Sequence, residues 1–315
     1  MMNTFEPVRF WPAKRSTSRV GRQLISYGIY DQSGAKIKPW PIMISYASRF
    51  SYMHLSPPKN AKLLDNKQYI FAGNFEGNFG HFLTETLPCL AAAMDLKKQF
   101  PDATLLFYKS ARPLEKIMAS AGAFLPFIQD HFGIDAGEIE FIDEPLHISQ
   151  CAVAPSPFLA KSSYAPAFAD TIRKHLSFSA KTPDRRLYIS RAKWPYRTRV
   201  NDEMKIQNRF EKNGFEPVFL EELNLNEQFE LIQSAKQIIG PQGSGLHWSL
   251  YAPNLTSIVS LGRPSKLQRG ICALHGQKYV EVTGTRKSIK DRRDRLFDDS
   301  QLQSAVDIAN HELGL

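Results

Sequence analysis

The sequence predicts an α/β protein with two domains, in each of which short buried strands alternate with helices. Three observations predict this class. Apolar runs of strand length, such as ATLLFY at 103–108 and QII at 237–239, recur along the chain. The stretches between them carry apolar residues at helical spacing. A polar, proline-containing joint, AKTPDRR at 180–186, divides the alternation into two series, as is typical of layered α/β domains.

The first series begins near residue 70, because residues 1–70 are rich in Tyr, Ser and Pro and predict only short strands and loops. The segment YIFAGNFEGNFGHFLTETLPCLAAAMDLKKQF then passes from a strand through a glycine-containing turn into a long helix. The apolar stripe of that helix comprises Leu83, Leu87, Leu90 and Met94. Pro88 should bend the helix or mark a new first turn. The elements that follow are strand 103–108, helix 112–132 with breaks near Gly122 and Pro126, strands EIEFID and HISQCAVAP, and helix APAFADTIRKHLSF.

The second series begins after the joint with the strand RLYISR, in which Leu187 and Ile189 share one face. Asn201 is the predicted N-cap of the next helix, which should stop near Gly214. A strand EPVFLE, a helix whose stripe is Leu225, Phe229 and Ile232, and the strands QIIG and TSIVSLG complete the series. This order predicts a compact Rossmann-like domain of about a hundred residues.

Composition and charge exclude several classes of protein. The chain has 315 residues, 43% of them hydrophobic, which suffices for a core without disulfides or metals. Three dispersed cysteines, Cys89, Cys151 and Cys272, predict neither a zinc ribbon nor a disulfide framework. No run approaches about 20 apolar residues, and the N-terminus lacks a signal-like segment, so we expect a cytoplasmic protein.

The formal net charge of +9 is compatible with a nucleic acid, a membrane surface or a phosphorylated small molecule as partner. The basic residues form two groups, one at 185–199 beside a predicted strand and one at 286–295 near the C-terminus. The second group reads most simply as a solvated face. It could also give peripheral contact with the inner face of a membrane.

The segment GPQGSG at 240–245 lies between a buried strand and a short apolar stretch. Open α/β sheets bind ligands outside the carboxyl ends of their strands. Three features fall at such ends: the turn after Ile189, Glu221, and the glycine turn itself. Backbone N–H groups of a glycine turn and a helix starting near Gly245 would suit phosphate or pyrophosphate. By itself, the pattern fits a plain tight turn equally well.

The order of three segments resembles the family 61 glycosyltransferases. They are NFGHFLTETLP, LYISRAKWPYRTRVND and GFEPVFLEELNLNEQFELIQSAKQIIGPQGSGL. The resemblance covers roughly residues 70–262 and implies a GT-B-like fold, with two Rossmann-like domains facing a cleft. We therefore expect an N-terminal acceptor-side domain at 1–180, a C-terminal nucleotide-sugar-binding domain at 181–285 and a basic helical segment at 286–315. The resemblance also implies a nucleotide-sugar donor, commonly UDP-linked, and inversion at the sugar carbon. The acceptor would be a glycan or glycolipid, as in synthesis of surface polysaccharide, capsule or lipopolysaccharide.

An inverting transfer needs a base on the acceptor side and positive charge around the leaving diphosphate. His81 and Glu85, four residues apart at the start of the first long helix, are the candidate catalytic pair, although His81 could simply cap a turn. The candidate donor-binding residues are Arg191, Arg199, Glu221, Gly240, Gln242, Gly243, Ser244, Gly245, Leu246 and His247. For either arginine the alternative is a surface ion pair. For Glu221 it is a helix-start carboxylate. Gln228 is expected to be structural.

The glycine turn departs from the family pattern G-P-H-G-A-G-L-T-N. Gln242 stands for His, Ser244 for Ala, and His247-Trp248 for Thr-Asn. Gln keeps a donor but cannot be cationic, and Ser adds a hydroxyl. The departures leave the donor sugar open.

No D-x-D triplet occurs, so we expect a metal-independent enzyme whose nucleotide-sugar is a substrate and which has no cofactor. Three alternatives remain. They are a catalytically silent partner of the same fold, another GT-B enzyme such as a phosphorylase or epimerase, and a basic nucleic-acid-binding protein. The chain carries no finger, RRM or KH signature, so we expect no specific nucleic acid partner.

Overall fold

The structure is a computed structural model that describes residues 5–17, 23–37, 51–53, 57–109, 114–160, 163–178, 182–194, 200–286 and 295–311. The chain divides into two compact units, Met1–Ser177 and Phe178–Leu315. The division falls three residues before the joint at 180–186 that marks the expected domain boundary. Each unit is an α/β layer structure, so the expected fold class is confirmed at that level.

Unit 1 contains strands, helices and two short helical segments. Its strands are β1 (Glu6–Thr17), β2 (Gln23–Tyr30), β3 (Ser51–Met53), β4 (Lys62–Leu64), β5 (Tyr69–Phe75), β6 (Thr104–Lys109), β7 (Ile139–Ile142), β8 (Leu146–Val153), β9 (Phe158–Ala160) and β10 (Ser163–Tyr164). Its α-helices are α1 (Phe79–His81), α2 (Leu87–Gln99), α3 (Leu114–Phe132) and α4 (Phe168–His175). A π-helical segment, Phe82–Thr86, joins α1 to α2, and a 3₁₀ turn, Ala136–Glu138, precedes β7.

The main sheet of unit 1 has the order β3-β2-β1-β8-β5-β6-β7, with β4 also paired to β8. Strands β8, β5, β6 and β7 run parallel, whereas β1 pairs antiparallel with both β2 and β8. Unit 1 is therefore built on a mixed sheet, in which the parallel strands that the family resemblance implies for a Rossmann-like domain form one part. Strand β5 lies inside the parallel part and is buried along its whole length, so its carboxyl end is a fixed platform for the residues that follow.

Unit 2 contains a parallel sheet with helices between its strands. Its strands are β11 (Arg185–Ile189), β12 (Glu216–Val218), β13 (Ala235–Pro241), β14 (Ser257–Leu261), β15 (Lys278–Val282), β16 (Thr285–Arg286) and β17 (Arg295–Leu296). Its helices are α5 (Glu203–Glu211), α6 (Leu225–Gln233), α7 (Lys266–His275) and α8 (Asp299–His311), with 3₁₀ segments at Leu220–Glu222 and Ser244–Tyr251.

The sheet of unit 2 has the order β12-β11-β13-β14-β15, and all its pairings are parallel. Numbered along the chain, this order is 2-1-3-4-5, a doubly wound arrangement in which the winding reverses between β11 and β13. The carboxyl ends of β11 and β13 meet at that reversal. The predicted Rossmann-like topology of this domain is confirmed.

Several expectations about individual elements need correction. Helix α5 begins after Asp202, which lies in the left-handed region at φ 50°, so Asn201 is not the N-cap. Helix α3 continues through Gly122 and Pro126 instead of breaking there. Tyr188 is as buried as Leu187 and Ile189, because helices cover both faces of a parallel sheet.

The C-terminal segment that the sequence sets apart packs into unit 2. Leu302, Ala305, Val306 and Ala309 of α8 are buried in one hydrophobic cluster with residues of β11, α5, β13 and β14. The side-chain amide of Gln237 donates to the Ala309 carbonyl at 2.9 Å. Most of the basic run at 286–295 lies outside the described residues. None of the described helices combines the length and apolar character that crossing a bilayer requires.

Candidate functional site

The carboxyl edge of the unit 2 sheet brings together the loops that follow β11, β13 and β14. Arg191 follows β11, the glycine turn 240–245 begins in the last two residues of β13, and Arg263 follows β14. The backbone N–H of Gln242 donates to the Leu261 carbonyl at 2.8 Å, which ties the turn to the end of β14. The crevice at a winding reversal is where open α/β sheets bind ligands.

The three glycines of the turn each meet a different neighbour. A Cβ at Gly240 would lie 2.7 Å from the Ile189 carbonyl oxygen, so Gly240 permits close approach of β13 to β11. A Cβ at Gly245 would lie 3.0 Å from both Ile189 and Leu220 side chains. A Cβ at Gly243 would lie 2.8 Å from Nη1 of Arg191. Gly240 and Gly245 are thus explained by packing, and Gly243 is the point where the guanidinium approaches the backbone.

Arg191 is a cationic group that the structure places at Gly243 of the glycine turn. Its guanidinium carbon also lies 5.9 Å from the centroid of the Trp194 ring. Burial lowers the pKa of Arg191, and the charges of Glu203 and Glu221 act in the opposite direction. A partly buried guanidinium is suited to bidentate binding of phosphate oxygens.

Glu203 lies in the first turn of α5 and was not predicted from the sequence. Its Oε1 accepts a hydrogen bond from the backbone N–H of Arg191. Its side chain is buried, and burial raises its pKa to about 7, as does the charge of Glu221, while the contacts with Arg191 act to lower it. Glu203 was missed because the sequence NDE read as a helix start. A carboxylate two residues after a predicted cap is an ordinary first-turn feature.

Of the other predicted donor-site residues, Gln242 and Ser244 lie in the glycine turn and Glu221 lies after β12. Gln242 is half-buried and accepts from Nε of Arg263 at 3.4 Å, while Glu221 is exposed just after β12. Ser244 is half-buried at the start of the 3₁₀ segment. Arg199 lies outside the described residues. Arg263 was missed, although it follows its strand as Arg191 follows β11, and the same strand-end argument would have found it.

The remaining turn residues face the interior of unit 2. Leu246 is buried, and Nδ1 of His247 lies 2.9 Å from the Gln268 side chain of α7. Trp248 is fully buried and donates through Nε1 to Gln228 at 2.7 Å. Gln228 also donates to the carbonyls of Leu220 and Leu223, which begin and directly follow the 3₁₀ segment after β12, and these bonds account for its expected structural role. The side chains that replace the family's Thr-Asn therefore belong to the core.

The turn leads into a 3₁₀ helix, Ser244–Tyr251, and not an α-helix. A 3₁₀ helix has the same dipole direction but poorer alignment of its hydrogen bonds. The positive end of this segment is therefore a weaker anion site than the α-helix expected near Gly245. Arg191 becomes correspondingly more important for any diphosphate bound here.

In unit 1 the predicted pair His81 and Glu85 is in contact. Nδ1 of His81 lies 2.7 Å from Oε1 of Glu85. The Glu85 side chain is 1% exposed and that of His81 is 26% exposed. The carboxylate is thus inside and the imidazole reaches the surface. A carboxylate at Nδ1 favours the tautomer in which Nε2 carries the lone pair, the form needed to accept a proton from a substrate hydroxyl.

A π-helical segment holds Glu85 in this position. The N–H of Leu87 donates to the carbonyl of Phe82, five residues earlier. Pro88 has no N–H for the carbonyl of Thr84, and its ring clashes with a carbonyl in that position. The hydroxyl of Tyr164 donates to the Thr84 carbonyl at 2.9 Å instead. Pro88 therefore marks a new first turn, as predicted, and the wider turn before it is supported from β10.

The carboxyl end of β5 and the π-helical segment also concentrate buried polar side chains. They are Asn74, Glu76, Thr84, Glu85 and Thr86. Thr86 accepts from the backbone N–H of Glu76 at 2.8 Å, and Thr84 donates to the Gly80 carbonyl at 2.8 Å. These bonds fix the chain around His81. Among the described residues, no three or more His, Cys, Asp or Glu side chains are grouped to hold a metal ion.

Comparison with known families finds that the model described as Glycosyltransferase 61 matches residues 79–259, more than half of the chain. The match begins at α1 and ends in β14, so it includes both His81 and the glycine turn. No curated protein matches the chain.

Two solved structures illustrate the structural similarity. One is the bacterial iron-containing dodecameric glycosyltransferase TibC from enterotoxigenic E. coli H10407, 11% identical, with a TM-score of 0.34 and coverage of 99% of this chain and 91% of that chain. The other is dodecameric iron-containing heptosyltransferase TibC in complex with ADP-D-β-D-heptose, 10% identical, with a TM-score of 0.33 and coverage of 99% and 90%. At these TM-scores the likeness carries no argument about fold or chemistry.

Proposed function

The chain belongs to the Glycosyltransferase 61 family, and from this premise we propose that it moves a sugar, with inversion, from a nucleotide-sugar donor to a saccharide acceptor. A UDP-linked donor is the first candidate, because the family commonly uses UDP-sugars. The acceptor is a glycan or glycolipid of a surface polysaccharide, capsule or lipopolysaccharide. The proposal includes the GT-B arrangement that the family resemblance implies and a cytoplasmic enzyme able to work at the inner face of the membrane.

The observation that carries the donor half of this proposal is the position of Arg191. Its guanidinium lies against Gly243, at the winding reversal of the unit 2 sheet. When the glycosidic bond to the donor breaks, negative charge develops on the leaving diphosphate. A guanidinium that meets that charge stabilises the transition state more than the ground state.

The acceptor half of the proposal assigns the base to His81. Nε2 takes the proton of the acceptor hydroxyl, the oxygen attacks the anomeric carbon, and the nucleoside diphosphate leaves from the opposite face. Glu85 holds the ring through Nδ1 and stabilises the imidazolium that forms. One displacement with one base gives inversion.

Binding of nucleotides to the full chain tests the donor site. We expect UDP to bind and Arg191→Ala to weaken binding by about 10- to 100-fold, since a charge-assisted hydrogen bond contributes about 1.5–3 kcal/mol. Arg185→Ala is the matched control. Arg185 lies at the amino end of the same strand, where it pairs with Glu216, and its loss should leave binding unchanged. Equal affinity of wild type and a folded Arg191→Ala variant would refute the assignment.

We also propose that turnover needs no divalent metal, because the sequence lacks a D-x-D triplet that could hold one on the diphosphate. Activity measured after treatment with EDTA should equal that of the untreated enzyme. Loss of activity that Mn²⁺ or Mg²⁺ restores would show the opposite.

A further inference from the structure

Glu203 is a buried acidic side chain at the candidate donor site, with no role in the chemistry proposed above. It is 4% exposed, and Oε1 accepts from the backbone N–H of Arg191. Its Oε2 is buried and has no hydrogen-bond partner among the described residues. Burying an ionised carboxylate costs free energy when one of its oxygens accepts no hydrogen bond. A protonated carboxyl would carry a donor on that oxygen.

The contacts of Glu203 link three elements of unit 2. Glu203 is on α5, Arg191 follows β11, and the guanidinium of Arg191 lies against Gly243 after β13. Glu203 therefore fixes the backbone at Arg191, from which the guanidinium reaches the glycine turn. A change at Glu203 would be transmitted to the position of that guanidinium.

The charges around Arg191 oppose a diphosphate while Glu203 is ionised. Arg191 is one positive charge, and both Glu203 and Glu221 act on it electrostatically. The hydroxyl of Tyr188 also interacts with Glu203, and burial keeps this hydroxyl neutral by raising its pKa. Lys193 is offset by its ion pair with Glu222 at 2.7 Å. Arg263, which donates to Gln242 at the end of β14, adds a second positive charge at this edge of the sheet. With both carboxylates ionised, two negative charges still act on Arg191 and weaken its attraction for a diphosphate.

We propose that Glu203 is a positioning residue for donor binding, which orients Arg191 and takes up one proton from solvent when the diphosphate binds. The inference rests on the proposed function, since it needs a nucleotide at this edge of the sheet. In the protonated carboxyl the carbonyl oxygen still accepts from the Arg191 N–H, so the link to Arg191 is kept. The local charge becomes less negative by one unit, and the bound diphosphate adds to the tendency of Glu203 to hold the proton.

Calorimetry of UDP binding to the full chain tests this inference. Titrations at pH 8 in two buffers with different ionisation enthalpies give the number of protons taken up per UDP. We expect wild type to take up close to one proton more than Glu203→Gln. Between pH 7 and pH 9 the wild-type Kd should rise by about 50-fold relative to the variant, and the rise approaches tenfold per pH unit above pH 8, where Glu203 of the free protein is ionised. Any titration of UDP itself is common to both proteins and cancels in the comparison.

Glu211→Gln is the matched control, because Glu211 is an exposed carboxylate at the other end of α5 and should behave as wild type. If Glu203 is only a helix-start carboxylate, Glu203→Gln changes the melting temperature and leaves the proton count and the pH slope of Kd as in wild type. That result would overturn the inference. Zero proton uptake by wild type at pH 8 would overturn it without any variant. Absence of nucleotide binding at every pH would overturn the proposed function as well, which distinguishes the two failures.

Discussion

His81 and Glu85 show how far residue spacing alone can go. A separation of four residues at a helix start predicts that the two side chains share a face. The structure confirms that they touch, at 2.7 Å, and adds that the carboxylate is buried while the imidazole reaches the surface. Spacing could not supply that asymmetry, because it depends on what packs over Glu85. The asymmetry makes His81 the member of the pair that can meet a substrate.

Replacement of His81 separates a catalytic role from a capping role. If Nε2 is the base, His81→Ala should lower kcat by about 10²- to 10⁴-fold. Binding of UDP should be unchanged, because the candidate donor site lies in unit 2. Activity should also fall on the acid side of the pH profile, since a protonated imidazole cannot accept the hydroxyl proton. The measurements are kcat and the Kd of UDP for the same preparations.

Glu85→Gln is the companion variant. It should cost less than His81→Ala, since the amide oxygen can still accept from Nδ1–H while the charge support for imidazolium is lost. If His81 only caps the turn, His81→Ala would melt earlier by an amount corresponding to about 1 kcal/mol and would turn over normally. An enzyme with that behaviour would leave the acceptor-side base unassigned.

The residues of the candidate donor site mark a limit of sequence interpretation at the same scale. Arg191 was predicted because residues after parallel strands lie at the carboxyl edge of the sheet. The structure places the Arg191 guanidinium against Gly243 at that edge. His247 was assigned to the site because it is adjacent to the turn in sequence. The structure instead sets its Nδ1 against Gln268 of α7. Direction within a 3₁₀ segment is not fixed by adjacency, and the partner, Gln268, is 21 residues away.

At the scale of elements, the glycines of the turn are needed for different reasons. Gly240 is required by the Ile189 backbone, which cannot move without disturbing β11, whereas Gly243 faces the flexible end of Arg191. Gly243 has φ 178°, extended backbone that any residue can adopt. The same substitution at these two positions should therefore have different effects.

We expect Gly240→Ala to destabilise the protein by about 1–3 kcal/mol, because the new methyl group would overlap a fixed carbonyl oxygen. Gly243→Ala should fold with little loss of stability and bind UDP more weakly, because the methyl group displaces the guanidinium. Melting temperature and UDP affinity, measured for both variants, check the pair. Equal loss of stability in both, with unchanged affinity in Gly243→Ala, would contradict this division.

The π-helical segment is an element that the sequence predicted only in part. Pro88 predicted an interruption of the helix, and α2 begins at Leu87, the residue before it. The wider turn before it depends on Tyr164, whose hydroxyl replaces the missing donor for the Thr84 carbonyl from 80 residues away. The local sequence shows that Pro88 lacks the N–H for the Thr84 carbonyl, but it does not show that Tyr164 supplies the replacement donor. The prediction of a break in α3 was wrong, because α3 continues through Pro126 without ending.

At the scale of the whole molecule, unit 2 was predicted more fully than unit 1. The regular alternation of apolar strands and helices after residue 185 translates directly into a parallel sheet, since each crossover brings the next strand to the same orientation. In unit 1, strands β1 and β2 join the sheet antiparallel, and β1 pairs with β8 from more than a hundred residues later. Pairings between strands so distant leave no local signal, so residues before 70 gave only short strands and loops.

The two units also carry buried ionisable groups of opposite effect on stability. In unit 1, His175 of α4 is buried against Asp95 at 2.9 Å, and burial lowers its pKa. In unit 2, burial raises the pKa of Glu203 to about 7. The folded state of unit 1 therefore disfavours protonated His175, whereas the folded state of unit 2 disfavours ionised Glu203.

These directions predict opposite responses to pH. Stability due to neutral His175 is complete above its unfolded pKa, about 6.5, and is lost as the pH falls below it. The cost of ionised Glu203 is absent below about pH 4.5 and complete above about pH 7, so unit 2 loses stability as the pH rises through that window. The wild-type chain should show acid-sensitive unfolding of unit 1 and alkali-sensitive unfolding of unit 2.

Calorimetric unfolding of the full chain at pH 5.5 and pH 8, with two variants, assigns each response. His175→Gln should reduce the loss of stability at pH 5.5 and leave the behaviour at pH 8 unchanged. Glu203→Gln should do the reverse, with a gain at pH 8 of at most about 3 kcal/mol, the equivalent of the pKa difference for one carboxyl. Each variant thus controls for the other, because both remove one ionisable group at a buried position. If both variants keep the wild-type dependence on pH, neither buried group sets it, and the responses must come from exposed charges distributed over the surface.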